Sequence, residues 1–266
     1  MATYPDDFEP MLESAHSSWR AILREGLQAI EQQSPNYLTD LIATGFLPRQ
    51  TSLFAAFSQP LQRVSYVLVG EGPYPRSESA NGYCFMDGAV NSLWSSDTKF
   101  GLSKQVNRAT SLRNFMKMLF VAENHIGLSD LDSNSIAEFV RKARSDSSPY
   151  IQTMADLQTN FLQRGFLLLN ASLVFRSDVA PAKDAKAWSP FLNVIFQSLS
   201  QESGPQQKIK IILWGKIADR LLALKSVQAP TNLSFVRAEH PYNLSFISNP
   251  EMHSLFQPLQ LLSLPH

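Results

Sequence analysis

Tyr74, Asn170 and His240 each stand just beyond the end of an apolar run, and Lys216 stands beyond a fourth. The first run, Val64 to Val69, stops at Gly70-Glu71-Gly72-Pro73, where two glycines and a proline force a tight loop poor in side chains. Backbone amides in such a loop can come close to a bound group, and open α/β sheets hold ligands at the carboxyl ends of their strands. The other runs are Phe166 to Asn170, Ile209 to Trp214 before Gly215-Lys216, and Ser234 to Ala238 before Glu239-His240-Pro241. If these are parallel strands, their ends share one edge, and a single cleft collects Tyr74, Phe85, Asn170 and His240. Two aromatic rings, an amide and an imidazole would then meet a ligand beside a glycine-rich loop.

The segments between the runs must position those ends. Apolar residues from Met11 to Ile30 recur at helical spacing and predict an amphipathic helix over about Phe8 to Gln32. A short helix over Tyr37 to Thr44 ends at Gly45, and Leu53 to Phe57 reads as core. Gly88 to Arg108 is polar and weakly periodic, which predicts a long surface excursion before a helix over Ser111 to Ala122. Ser135 to Glu138 has the form of a capping box, and Thr153 to Arg164 reads as a helix stopped by Gly165. Helices are also predicted over Ala187 to Leu199, Ile217 to Leu224 and Pro250 to Leu262, with a polar turn over Glu202 to Gln207. The strands alternate with helices and lack the in/out pattern of a half-solvated sheet. The expected fold is therefore α/β, with a central four-stranded parallel twisted sheet flanked by helices in a single domain spanning 1–266.

Lys+Arg and Asp+Glu are equal at 23 each, so no bulk field holds the chain on nucleic acid or an anionic membrane, and any such contact is local. One cysteine, Cys84, excludes an intramolecular disulfide framework and a cysteine-built zinc site, as suits a reducing compartment. The N-terminus lacks the pattern of a secretory leader, and no apolar run reaches membrane-spanning length, so a soluble cytoplasmic protein is expected.

In sequence order the motifs resemble those of the uracil-DNA glycosylase superfamily, most closely its classical family. Gly70-Glu71-Gly72-Pro73-Tyr74-Pro75 is similar to the family's G-Q-D-P-Y-H, and Asn81 to Phe85 to its H-G-L-C-F. Leu167 to Asn170 with Leu173 to Arg176, Ile212 to Gly215, and His240-Pro241-Tyr242-Asn243-Leu244-Ser245 are similar to L-L-L-N with L-x-x-R, L-L-W-G and the DNA-inserting H-P-S-P-L-S. The likeness is strongest over residues 47–262. It implies that a base leaves the stack and enters a pocket. Phe85 would stack on it, Asn170 would pair with uracil N3–H and O4, and Tyr74 would exclude the thymine methyl. His240 would donate to uracil O2 as charge develops there, Leu244 would wedge into the duplex, and Ser245 lies in the same DNA-binding loop.

The main departure is Gly72, where the family places the aspartate that orients water and faces the cationic sugar. Neighbouring Glu71 is a candidate substitute, although successive side chains in a turn usually point apart. Lys216 and Arg113, with Arg108, are expected to form a local basic rim for DNA. The reading is a glycosylase that flips uracil and hydrolyses its N-glycosidic bond, impaired or altered at Gly72, with no metal or other cofactor. The alternatives are a catalytically silent DNA-binding or accessory module, and a glycosylase for another modified pyrimidine with a role in defence against phage. Expected partners are single- or double-stranded DNA and a replication or repair protein, with no membrane, for a monomer in the cytoplasm, or in the nucleus if the source is eukaryotic or viral.

Overall fold

The apolar runs form a four-stranded parallel sheet in a computed structural model that describes residues 3–202, 208–217, 221, 224 and 232–264. Its strands are β1 (Tyr66–Gly70), β2 (Phe166–Asn170), β3 (Ile209–Trp214) and β4 (Leu233–Ala238), in the order β2-β1-β3-β4. The helices are α1 (Ser17–Gln33), α2 (Tyr37–Thr44), α3 (Lys104–Arg108), α4 (Thr110–Ala122), α5 (Ser133–Ala143), α6 (Met154–Gln163), α7 (Pro181–Ala187), α8 (Ser189–Glu202) and α9 (Pro250–Phe256). The expected fold class is thus observed. The turn predicted over Glu202 to Gln207 and most of the helix predicted over Ile217 to Leu224 lie outside the described residues. Among those described, no helix is long and apolar enough to cross a membrane.

Contacts group the chain into two units, one of 1–87 with 165–236 and one of 88–164 with 237–266, so the division falls within β4. In the first unit β1 pairs in parallel with β2, from Tyr66 opposite Phe166 to Gly70 opposite Asn170, and with β3, from Tyr66 opposite Lys210 to Val69 opposite Leu213. Burial of all five β2 residues explains why this strand reads as an unbroken apolar run. On the neighbouring strands, Tyr66 and Phe166 stack with centroids 4.6 Å apart. Helices α1 and α8 pack together, and Trp19, Phe54, Phe57, Trp188 and Phe191 form an aromatic cluster with T-shaped contacts such as Trp19 to Phe57 at 5.1 Å. Leu53 to Phe57 is core as expected, but carried on 3-10 turns.

Asp184 of α7 is buried and accepts from the Tyr37 hydroxyl at 2.8 Å, while Arg176 grips both its oxygens. This ties the chain after β2 to α2 and leaves the buried Asp184 charge paired. The helix predicted over Ala187 to Leu199 is α8, Ser189–Glu202, and a further helix, α7, precedes it, with Pro181 at a first position that needs no N–H donor.

In the second unit α4 is central: Phe115 packs on Phe161 and Phe256, and Phe120 joins Trp94 and Phe139. Buried Glu123 accepts the backbone N–H of Leu261 at 2.7 Å, anchoring the segment after α9. Three expectations are corrected. Phe8 to Gln32 is not one helix, since 3-10 turns precede α1 and the His16 ring caps it by accepting from Ser18 N–H. Ser135 to Glu138 is not a capping box: Asp132 caps α5 by accepting from Asn134 and Ser135 N–H, while Glu138 pairs with Lys142. The reciprocal capping box belongs to α6, between Thr153 and Asp156. Finally, Gly88 to Arg108 is not wholly a surface excursion. It buries Leu93, Trp94 and Val106, and the Trp94 indole donates to Ile151 O at 2.7 Å, which makes a deep position tolerable for its N–H.

Candidate active site

Gly70 ends β1 directly opposite Asn170, the last residue of β2. The pairing continues into the loops, with Ala171 N–H donating to Gly70 O at 2.8 Å and Ser172 N–H to Glu71 O at 3.1 Å. These bonds fix the backbone on both sides of Asn170, a residue only 3% exposed. Its Oδ1 is buried without a hydrogen-bond partner. An orphaned buried acceptor costs about 1–3 kcal/mol, a cost that a donor on a bound ligand would offset. A Cβ at position 70 would stand 2.8 Å from that oxygen and 2.9 Å from the Cys84 Cβ, so only glycine leaves the carboxamide its place. Gly70→Ala is therefore expected to lower stability by roughly 1–3 kcal/mol through overpacking and to weaken ligand binding as well. Thermal melting and a DNA-binding titration would check this, and an unchanged affinity would separate Gly70 from the site.

Phe85 is held by an unusual turn. Cys84 N–H donates to Leu168 O on β2 at 3.0 Å, and Met86 N–H closes back on Cys84 O at 2.8 Å, with Phe85 between them at φ 64°. This is the left-handed region, which a bulky residue occupies at a cost of about 1–3 kcal/mol, and such strain collects at functional sites. Trp214, at the end of β3, meets the Phe85 ring edge to face with centroids 5.2 Å apart. Tyr74 donates its hydroxyl to Phe85 O at 3.4 Å. Burial pushes the Tyr74 hydroxyl pKa up, and the Asp87 carboxylate pushes it further, so the phenol stays neutral. Buried Asp87 is itself paired with Arg76 at 3.4 Å. Burial also raises the Cys84 thiol, which donates to Leu68 O and is not a nucleophile.

Gly72 is exposed, and a Cβ there would meet nothing nearer than Ser172 O at 3.7 Å. The position accepts a side chain without displacement. Glu71 is likewise exposed, and Lys216 follows Gly215 at the end of β3 with its side chain in solvent. The first unit thus brings together Gly70, Gly72, Tyr74, Phe85, Asn170 and Trp214.

The second unit carries His240, Leu244, Ser245 and Arg113. The His240 Nδ1 accepts from Tyr242 N–H at 3.1 Å, so in the neutral ring the proton sits on Nε2, leaving that nitrogen a donor. Asn114, buried in α4, donates through Nδ2 to Pro241 O at 2.8 Å and Tyr242 O at 3.2 Å. Asn249 caps α9 and also donates to Glu239 at 2.8 Å. Burial would raise the Glu239 carboxyl, but hydrogen bonds from Ser245, its own backbone and Asn249 outweigh it and keep the pKa below the ordinary range. Beyond these anchors Tyr242, Leu244 and Ser245 are exposed. Arg113 donates to Asn107 O at 3.1 Å, a bond that holds the turn between α3 and α4.

Trp214 and Gly70 in the first unit, and Asn114 and Asn249 in the second, hold the candidate residues of their own units but are not expected from their residue types alone. Trp214 stands inside the L-L-W-G resemblance, which signals the position without its partner. Asn114 offers only its place in the helix predicted over Ser111 to Ala122.

At the strand ends of this parallel sheet lie an aromatic ring in left-handed backbone, Phe85, and a buried amide acceptor without a hydrogen-bond partner, Asn170 Oδ1, an arrangement suited to a small planar ligand. The comparisons make this specific. The wild-type UNG crystal structure from Nitratifractor salsuginis is 36% identical in sequence, with a TM-score of 0.83 over 96% of each chain. The uracil-DNA glycosylase of Streptococcus mutans is 26% identical over 212 residues, covering 79% of this chain and 77% of that protein. The mimivirus uracil-DNA glycosylase, at 14% identity and a TM-score of 0.54, shares the fold. No family model matches the chain. This chain belongs to the uracil-DNA glycosylase superfamily, whose members are DNA glycosylases, hydrolases of the bond between base and sugar.

Proposed function

We propose that the chain excises uracil from DNA, with recognition complete and catalysis slowed by the absence of a carboxylate at position 72. The observation that carries this reading is the buried, unpartnered Asn170 Oδ1, an acceptor suited to uracil N3–H. Cytosine has no hydrogen at N3, so with the carboxamide in this orientation that oxygen would stay unsatisfied and the site would favour uracil by an unpaired-group penalty. Phe85 stacks on the base, Tyr74 crowds its C5 edge, and the Nε2–H of His240 donates to O2 as negative charge grows there. Leu244 and Ser245 engage the DNA strand, while Lys216 and Arg113 add positive charge near it. Gly72 takes the place of the family's water-orienting aspartate, with Glu71 the nearest alternative carboxylate in sequence.

A duplex carrying one uracil, incubated with the protein and then with alkali, is expected to break at that position, whereas thymine and cytosine controls stay intact. Absence of breakage at high protein concentration would overturn the excision reading. The exposed, side-chain-free Gly72 favours a second reading, a DNA-binding or accessory module of the same fold, if tight binding of uracil-containing DNA accompanies that absence.

A further inference from the structure

Tyr242 combines a fixed backbone with a free ring. Its N–H donates to His240 Nδ1 at 3.1 Å and its carbonyl accepts from the Asn114 amide at 3.2 Å, so both its polar backbone groups are committed. Pro241 before it is buried, and its carbonyl is held by the same Asn114 at 2.8 Å. Even so, the residue is 67% exposed, and Leu244, two positions on, is 72% exposed. Scattered exposed apolar residues are ordinary. Two of them on either side of Asn243, above anchored backbone, form a presented surface. Exposed Asn243 and Ser245 flank them, so the surface is too narrow and polar to seat a protein core, but it matches the face of a single planar ring.

We propose that Tyr242 is a nucleobase-stacking residue, whose ring packs on a base adjacent to the target nucleotide while Leu244 acts as the apolar wedge. The proposal rests on the glycosylase reading above and adds to it a second base subsite. Every base offers a π-face, so the contact tolerates any neighbouring sequence. On a pinned backbone the ring has only its two side-chain torsions to lose on binding, which is why aromatic side chains serve well as anchors.

The test uses the whole chain with a DNA strand carrying a tetrahydrofuran abasic analogue and 2-aminopurine on one or the other side of it, alone and as a duplex. The wild-type protein is expected to quench 2-aminopurine at one flank. Tyr242→Ala should abolish that quenching and weaken binding roughly five- to a hundredfold, the span expected for one lost base–aromatic stack. Tyr242→Phe and Tyr242→Trp should keep both, and Tyr242→Leu, apolar but without a π-face, should lose the quenching. Because the ring is exposed, melting of Tyr242→Ala should match wild type, which removes misfolding as an explanation. If wild type cuts uracil-containing DNA but Tyr242→Ala binds and quenches unchanged, the stacking role is overturned and the glycosylase reading stands. If wild type neither binds the abasic strand nor cuts uracil-containing DNA, both fall.

Discussion

Gly72→Asp is expected to raise the single-turnover rate of uracil excision by roughly a thousandfold. The figure comes from Coulomb's law: a carboxylate about 4 Å from the positive charge that develops on the sugar contributes on the order of 4 kcal/mol at an effective dielectric of about 20, and about 1.4 kcal/mol is a factor of ten. The structure makes the substitution feasible. A Cβ at this position has only ordinary contacts, at 3.7 Å to Ser172 O and 3.8 Å to its Cβ, and the backbone is not in the left-handed region. Removing a glycine where the backbone permits it also stabilises the fold by about 0.4–1 kcal/mol, so melting should not fall. Excision rates at saturating protein would check the gain, and a rate equal to wild type would show that position 72 does not face the reacting sugar. Glu71→Gln belongs in the same experiment. If it removes the wild-type activity, Glu71 already supplies the carboxylate, and the expected gain at position 72 shrinks.

His240→Ala should lower the excision rate about a hundred- to a thousandfold with little change in DNA affinity, the range for loss of one preorganised donor to a developing oxyanion. The split follows because the Nε2–H bond strengthens only as charge moves onto the base, so its loss appears in the rate constant and not in ground-state binding. Alanine also removes the acceptor of Tyr242 N–H. His240→Asn controls for this, since the asparagine oxygen can take the place of Nδ1 while no group replaces the Nε2 donor. Equal slowing by both variants, with affinity preserved, would assign the effect to the donor. A near-normal rate in His240→Asn would mean that His240 serves only to shape the loop.

Much of the architecture is legible because burial leaves a direct trace. β2 and β3 occupy Phe166–Asn170 and Ile209–Trp214, as the apolar runs predict; β2 is buried throughout and β3 at every position but Lys210, since both faces of a parallel sheet are covered. The polar residue ending each run also marks where a ligand can reach the sheet. What is not legible depends on partners distant in sequence. The turn at Phe85 is imposed by the bond from Cys84 to Leu168 and the closure from Met86, and nothing in the residue type Phe signals a positive φ. Gly70 is visible as a glycine, but its reason, the oxygen of Asn170 close by, exists only once β1 and β2 are in register. Asn114 reads as one more polar residue on an amphipathic helix until its amide is seen to hold Pro241 and Tyr242. Trp94 is misjudged for a related reason. Its neighbours are polar and aperiodic, yet a single acceptor at Ile151 lets the indole lie in the core.

Recognition and catalysis separate most cleanly in the dependence of single-turnover uracil release on protein concentration, measured for the unaltered chain with a single-uracil strand. An intact base site lacking its carboxylate predicts that free uracil appears slowly, that the rate saturates, and that the half-saturating concentration stays within a few fold in Gly72→Asp while the limiting rate rises. No release and no binding at any protein concentration, or equal release of uracil and thymine, would contradict it.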